Sequence, residues 1–248
     1  MARAAVPGAT ELLPPPTSGR RFVADRVVRL GDVDPAGSLR LDATARYLQD
    51  VATDDATDAA LDGRFGWLVR RTLIDVARPA LLGESLSLTT WCTGAGPSWA
   101  ERRTAIAGAA GAAVDAVSVW VQVDGTTGRP TRLTGQFTDI YGEACAGRSV
   151  SARLSLGGPP GGAARRRWLV RRTDLDQFNH VNNAANWAFL EESVDSFGDR
   201  RGVAEMEFVA PVEPDADVGI RIDAASSACS AWLVCDDAVL SAARWTSR

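Results

Sequence analysis

Lysine is absent from this chain of 248 residues: all 27 basic side chains are arginine, set against 31 acidic ones for a net charge of −4. An acidic balance gives no support to generic nucleic-acid binding. Histidine occurs once, at His180, and no Cys-x-x-Cys pair is present, which argues against a structural zinc site. No metal and no organic cofactor is expected. The four cysteines (Cys92, Cys145, Cys229, Cys235) have neither metal-like nor disulfide-framework spacing, and read as buried free thiols of a cytoplasmic protein. No uninterrupted apolar run approaches the length that crosses a bilayer, so no membrane partner is expected. Residues 1–20 are rich in Pro, Ala and Gly and lack the apolar core of a signal peptide, and are read as a disordered leader. What remains is a chain of ordinary globular composition.

The informative stretch is RRTDLDQFNHVNNAANWAFLEE, Arg171 to Glu192, with the single histidine among aspartates and asparagines. Trp168, Leu169 and Val170 lead into it as a short strand. After it, Val181, Ala184, Trp187, Ala188, Leu190 and Val194 recur at helical spacing. A strand-to-helix turn over Asp176 to Asn183 follows, with Asn182 or Asn183 as the capping residue. Such a helix start offers unpaired N–H groups and positive potential to an oxyanion.

The stretch occurs twice. VRLGDVDPAGSLRLDATARYLQD, from Val28, aligns with VRRTDLDQFNHVNNAANWAFLEE at a shift of 142 positions without a gap. Asp32 then matches Asp174, Asp34 matches Asp176, and Ser38 stands where His180 stands in the second copy. Pro79 matches Pro211 at a slightly shorter shift. The first copy lacks the titratable group, so Asp34 is expected to serve its turn, and one working site per chain is expected.

In order, the first unit reads as a strand Phe22 to Arg29, a helix Asp42 to Leu61, and strands Trp67–Ala77, Glu84–Thr93, Ser98–Ala107 and Ala113–Val123, with Gly/Pro breaks between them. Phe137 to Gly147 reads as either a short helix or an irregular connection. LGGPPGGAARRR, Leu156 to Arg167, reads as a linker. The second unit repeats the pattern, with a helix Asn183–Phe197 and strands Val203–Ala210, Asp217–Ala224, Ala228–Cys235 and Ala238–Trp245. The class is α+β, a helix packed on one face of an antiparallel sheet, in duplicate.

At TDLDQFNHVNN the chain resembles the acyl-acyl-carrier-protein (acyl-ACP) thioesterases of plants and bacteria, which carry a D-x-D-x-N-x-H-V-N-N type motif. The resemblance implies a double hotdog: two tandem units, each a long helix wrapped by an antiparallel β-sheet. It divides the chain into an N-terminal hotdog domain over 21–147 that shapes the acyl pocket, a linker over 148–166, and a catalytic C-terminal hotdog domain over 167–248. By position Asp176 and His180 fall on the family's catalytic pair. Asn179 joins them as a catalytic candidate, one residue after the place where the plant motif has asparagine and this chain has Phe178. Asn182, Asn183, Phe178, Trp187 and Glu192 are the candidate substrate-binding residues. A glutamate downstream in the plant enzymes falls on Pro211.

The implied activity is hydrolysis of fatty acyl-ACP to free fatty acid and ACP. The histidine acts on water or holds the thioester, and Asp176 attacks the carbonyl or activates the water. Acyl-CoA is the alternative carrier. Rival readings are a hotdog hydratase or dehydratase and a non-catalytic acyl-binding or regulatory protein. Arginines 165–167, 171, 172, 200 and 201 could attract an acidic carrier or its phosphopantetheine phosphate. Either a monomer or a homodimer fits, since two fused hotdogs already make a pseudo-dimer.

Overall fold

In the computed structural model, which describes residues 12–194 and 196–248, the two repeats share one sheet. The first contributes β1 (Arg21–Val27), β2 (Phe65–Arg78), β3 (Ser85–Ala95), β4 (Trp99–Gly108) and β5 (Ala113–Asp124). The second contributes β6 (Arg165–Arg167), β7 (Gly202–Phe208), β8 (Val218–Ala225), β9 (Ala228–Cys235) and β10 (Ala238–Ser247). The order is β1-β3-β4-β5-β2-β7-β10-β9-β8-β6. It reads the same from either end once β6 to β10 are matched with β1 to β5. The duplication is thus a pseudo-two-fold through the antiparallel β2–β7 pair, where Thr72 faces Met206.

The helices follow the same symmetry. α1 (Leu41–Asp58) buries Leu41, Ala45, Leu48 and Val51 at helical spacing, and α3 (Asn183–Glu191) buries Ala184, Trp187 and Leu190. They pack against each other. Leu48, Ile74, Trp187, Met206 and Leu233 belong to one continuous apolar cluster. Burying both helices against one sheet joins the two repeats into a single core, and this fixes the N-terminus of each helix next to the other repeat.

Three local readings change and one left open is decided. The expected strand at Trp168 to Val170 is displaced to Arg165–Arg167, inside the expected linker, because those arginines pair with β8 (Arg166 opposite Ile220). The second helix stops at Glu191 instead of Phe197. Ser193 bonds back, its Oγ to Phe189 O at 2.6 Å and its N–H to Leu190 O, and the chain leaves the helical path. Residues 135–145 form a helix, α2 (Gly135–Cys145), capped by Thr134, whose hydroxyl accepts from Phe137 N–H at 3.1 Å. Tertiary packing of Phe137 and Tyr141 overrides its two glycines. Of the expected leader, residues 1–11 lie outside the described residues. Within 12–20, Gly19 lies so close to α2 that a Cβ would come within 2.4 Å of Ala144 N. Arg20 pairs with Asp55 and Asp58 of α1, each at 2.7 Å. Among the described residues no helix is long and apolar enough to cross a membrane.

Candidate active site

Each repeat builds the same turn. In the second, Asp176 N–H donates to His180 O at 2.9 Å and Asn179 N–H to Asp176 O at 3.0 Å. In the first, Asp34 N–H donates to Ser38 O at 2.9 Å and Gly37 N–H to Asp34 O at 2.9 Å. Position four of the turn needs a left-handed backbone, supplied by Gly37 (φ 81°) and by Asn179 (φ 61°). Asn179, a catalytic candidate, supplies this left-handed position and is exposed. The carboxylate Oδ1 closes the turn in both copies. Asp34 Oδ1 accepts from Ala36 and Ser38 N–H, both at 2.9 Å; Asp176 Oδ1 accepts from Phe178 N–H at 2.9 Å and His180 N–H at 3.4 Å.

The second carboxylate oxygen separates the copies. Asp34 Oδ2 receives Arg200 Nη1 at 3.1 Å, and Arg200 Nη2 reaches Glu191 Oε1 at 2.5 Å. Glu191 Oε1 also accepts Leu41 N–H at 2.6 Å. The first N–H of α1 and the free oxygen of Asp34 are thus both occupied by an ion pair from the second repeat, with the Arg200 side chain only 7% exposed. Arg40 covers the same turn, donating to Val33 O at 2.8 Å and Gly31 O at 3.0 Å. In the second copy the matching positions are open: among the described residues nothing donates to Asp176 Oδ2 and nothing accepts from Asn183 N–H. The counterpart of Glu191 is Gln49, a neutral side chain lining one narrow cavity with Asn183, Trp187, Trp120 and Phe208.

The remaining candidates take distinct places. Asn182 caps α3, its side-chain oxygen accepting Ala184 N–H at 2.8 Å. His180 is half-buried, with Nε2 3.4 Å from Glu213 Oε1. Trp187 is buried in the core beside the cavity. Phe178 is not brought into it: the turn directs its side chain outward, 64% exposed. Glu192 is exposed at the far end of α3, about 13.5 Å along the helix from Asn183. Its neighbour Glu191 is the acidic residue turned inward. Asp34 does not remain a simple turn residue, since it also anchors the ion pair.

Reading the chain by motif missed Glu213, Gln49 and the Glu191–Arg200 pair. Gln49 was within reach, because it aligns with Glu191 in the repeat. Glu213 was not, because it sits two residues beyond the position compared with the plant glutamate. The cavity itself measures about 10 Å³, room for roughly one water molecule. An open groove of about 850 Å³ along β1 lies elsewhere, over Asp32 and Tyr47, and includes none of the candidate site residues. There, burial would raise the Asp32 carboxyl, but hydrogen bonds from Tyr47 and Arg29 N–H and the charge of Arg46 hold it below the usual carboxylate range. No group of His, Cys, Asp or Glu among the described residues could hold a metal ion.

Comparison with known proteins agrees with this architecture. Residues 19–141 match the acyl-ACP thioesterase N-terminal domain, and residues 160–236 the acyl-ACP thioesterase C-terminal domain. An uncharacterized protein of Mycobacterium tuberculosis is 32% identical over 178 residues, 71% of each chain. The 12:0-ACP thioesterase of Umbellularia californica superposes with a TM-score of 0.75 at 19% identity, over 92% of this chain and 94% of that one. An acyl-ACP thioesterase from Bacteroides thetaiotaomicron gives 0.73 at 20% identity, over 91% and 97%. These two likenesses establish the double hotdog fold.

Proposed function

The chain belongs to the acyl-ACP thioesterase family and is a thiolester hydrolase of that family, and from that premise we propose that acyl-ACP is cleaved at the turn of the second repeat. The observation that carries this is the asymmetry of the two turns. Asp34 and the α1 N-terminus are filled by Arg200 and Glu191, while Asp176 Oδ2 and Asn183 N–H are open.

Asp176 is the base. Two backbone N–H groups hold its Oδ1, so Oδ2 has a fixed direction in which to take a proton from water. The water oxygen bonds to the thioester carbon, and the resulting oxyanion lies at the start of α3. There the Asn183 N–H and the positive helix end stabilise it. Asn182 contributes by keeping Ala184 N–H and the first turn in place. His180 stands on the other side of the turn, partly in solvent and 3.4 Å from Glu213. From there it passes a proton to the departing phosphopantetheine sulfur as the C–S bond breaks. The acyl chain enters between α1 and α3, past Gln49, Trp120, Trp187 and Phe208. That cavity has room for about one water, so its side chains must part to admit substrate.

Among the described residues no carboxylate pairs with Arg167 or Arg172, which are both exposed. They give an acidic carrier a point of attraction. Arg200 plays no part in that, since it is buried in the ion pair.

The test is thiol release from acyl-ACP and acyl-CoA by wild type, Asp176→Ala and His180→Ala. The expected result is release from acyl-ACP that collapses in both variants. Full activity in Asp176→Ala would remove the site from this turn. Faster release from acyl-CoA would change the carrier and leave the site.

A further inference from the structure

We propose that Cys92 and Cys145 form an oxidisable thiol pair, which a two-electron oxidant of the peroxide class converts to a disulfide joining the end of α2 to β3. The two residues lie 53 apart in sequence, and their sulfurs are 3.1 Å apart inside the protein. Cys92 is 3% and Cys145 6% exposed. A covalent bond of about 2.05 Å requires the sulfurs to close by only about 1 Å.

The backbones on both sides are already held together. Ala95 N–H donates to Arg148 O at 3.1 Å, Val150 N–H to Ala95 O at 3.2 Å, and Arg148 N–H to Cys145 O at 2.9 Å. A Cβ at Gly94 would meet the Val150 side chain at 2.6 Å, so the segment after α2 lies tight against β3. The approach of the two thiols is therefore set by the packing of α2 and not by a free rotamer. The pair also has an asymmetry that suits the chemistry. The hydrogen bond between the two sulfurs holds the Cys145 thiol below its ordinary value against the opposing effect of burial, and Arg148 adds to this. The same bond and burial push Cys92 up. Cys145 is the last residue of α2, followed by the left-handed Ala146 and Gly147.

The step balances as follows. The Cys145 thiolate attacks one oxygen of hydrogen peroxide, breaking the O–O bond, and becomes a sulfenic acid while hydroxide leaves. The Cys92 sulfur then attacks the sulfenic sulfur, the S–S bond forms, and water leaves with the Cys92 proton. Two thiols and one peroxide yield one disulfide and two waters. Cys235, half-buried in β9, serves as an internal control.

The experiment treats the full chain with hydrogen peroxide, alkylates the remaining thiols after denaturation, and maps tryptic peptides by mass spectrometry. The expected result is a linked peptide pair containing Cys92 and Cys145, about 2 Da lighter than the two thiol peptides together. Dithiothreitol should reverse it, and the oxidised form should melt several degrees higher because the closed loop restricts the unfolded chain. In Cys145→Ser the linked pair and the melting shift both vanish. If Cys92 and Cys145 stay fully alkylatable under conditions that oxidise Cys235, the proposal fails. A sulfinic acid at Cys145 without a linked peptide would overturn it as well.

Discussion

The ion pair that fills the first-repeat turn makes a quantitative prediction through Glu191→Gln. Glu191 Oε1 accepts Leu41 N–H at 2.6 Å and Arg200 Nη2 at 2.5 Å, in a setting where the Glu191 side chain is 13% and Arg200 7% exposed. The substitution keeps an acceptor for Leu41 but removes the charge facing Arg200. Orphaning a buried charge costs about 3–5 kcal/mol. Here Asp34 Oδ2, at 3.1 Å, keeps Arg200 partly paired. The loss is therefore closer to a single charged hydrogen bond, about 1.5–3 kcal/mol. For a chain of this size that is a fall in Tm of about 3–12 °C. Calorimetry gives the Tm, and thiol release from acyl-ACP gives kcat on the same sample. The expected outcome is a clear melting shift with kcat close to wild type, because the working turn is the other one. A kcat loss as severe as that of Asp176→Ala, with Tm unmoved, would refute the reasoning and put the chemistry in the first repeat.

Three further predictions use the same structure. Asp176→Asn should lower kcat by about 10²–10⁴, the usual worth of a positioned base, whereas Asp34→Asn should lower Tm and spare kcat; steady-state kinetics on both variants checks the contrast. Asn182→Ala removes the cap that holds Ala184 N–H at 2.8 Å, and chemical denaturation should show a loss of about 0.5–2 kcal/mol. Glu84 gives a pH signature. Burial alone would raise its carboxyl, but N–H groups of Ala112, Leu81, Ala110 and Gly111 hold it below its ordinary value. A depressed folded-state pKa means stability that is complete above the ordinary carboxylate range and lost as pH falls through the lower value. Glu84→Gln should therefore melt below wild type at neutral pH, and the two melting curves should converge in acid. A constant gap across the titration would sink that account.

Much of the architecture was legible in the chain because its causes are local and periodic. Leu41, Ala45, Leu48 and Val51 mark a helix face before any fold is known, and the alternation in SLSLTTWC marks a strand. The repeat was legible for the same reason: DVDPAGS and DLDQFNH close the same turn with the same carboxylate. Boundaries set by packing were less legible. α2 depends on Phe137 packing between Trp67 and Tyr141, and the stop of α3 depends on Ser193 bonding back to Phe189. The left-handed backbone of Asn179 was not legible from its own position, and only its match with Gly37 in the repeat points to it.

The sequence by itself determined the class of the long helices and strands, the duplication, and the Asp176–His180 turn at a helix start, since spacing and residue type are enough for those. Tertiary structure alone decided which of the two turns is open. Arg200 lies 166 residues from Asp34, and Glu191 lies 150 from Leu41. No local pattern links residues so far apart. They meet because two amphipathic helices must bury their apolar faces against one sheet, which brings each helix start beside the other repeat. The same burial places Cys145 on Cys92 and Glu213 on His180.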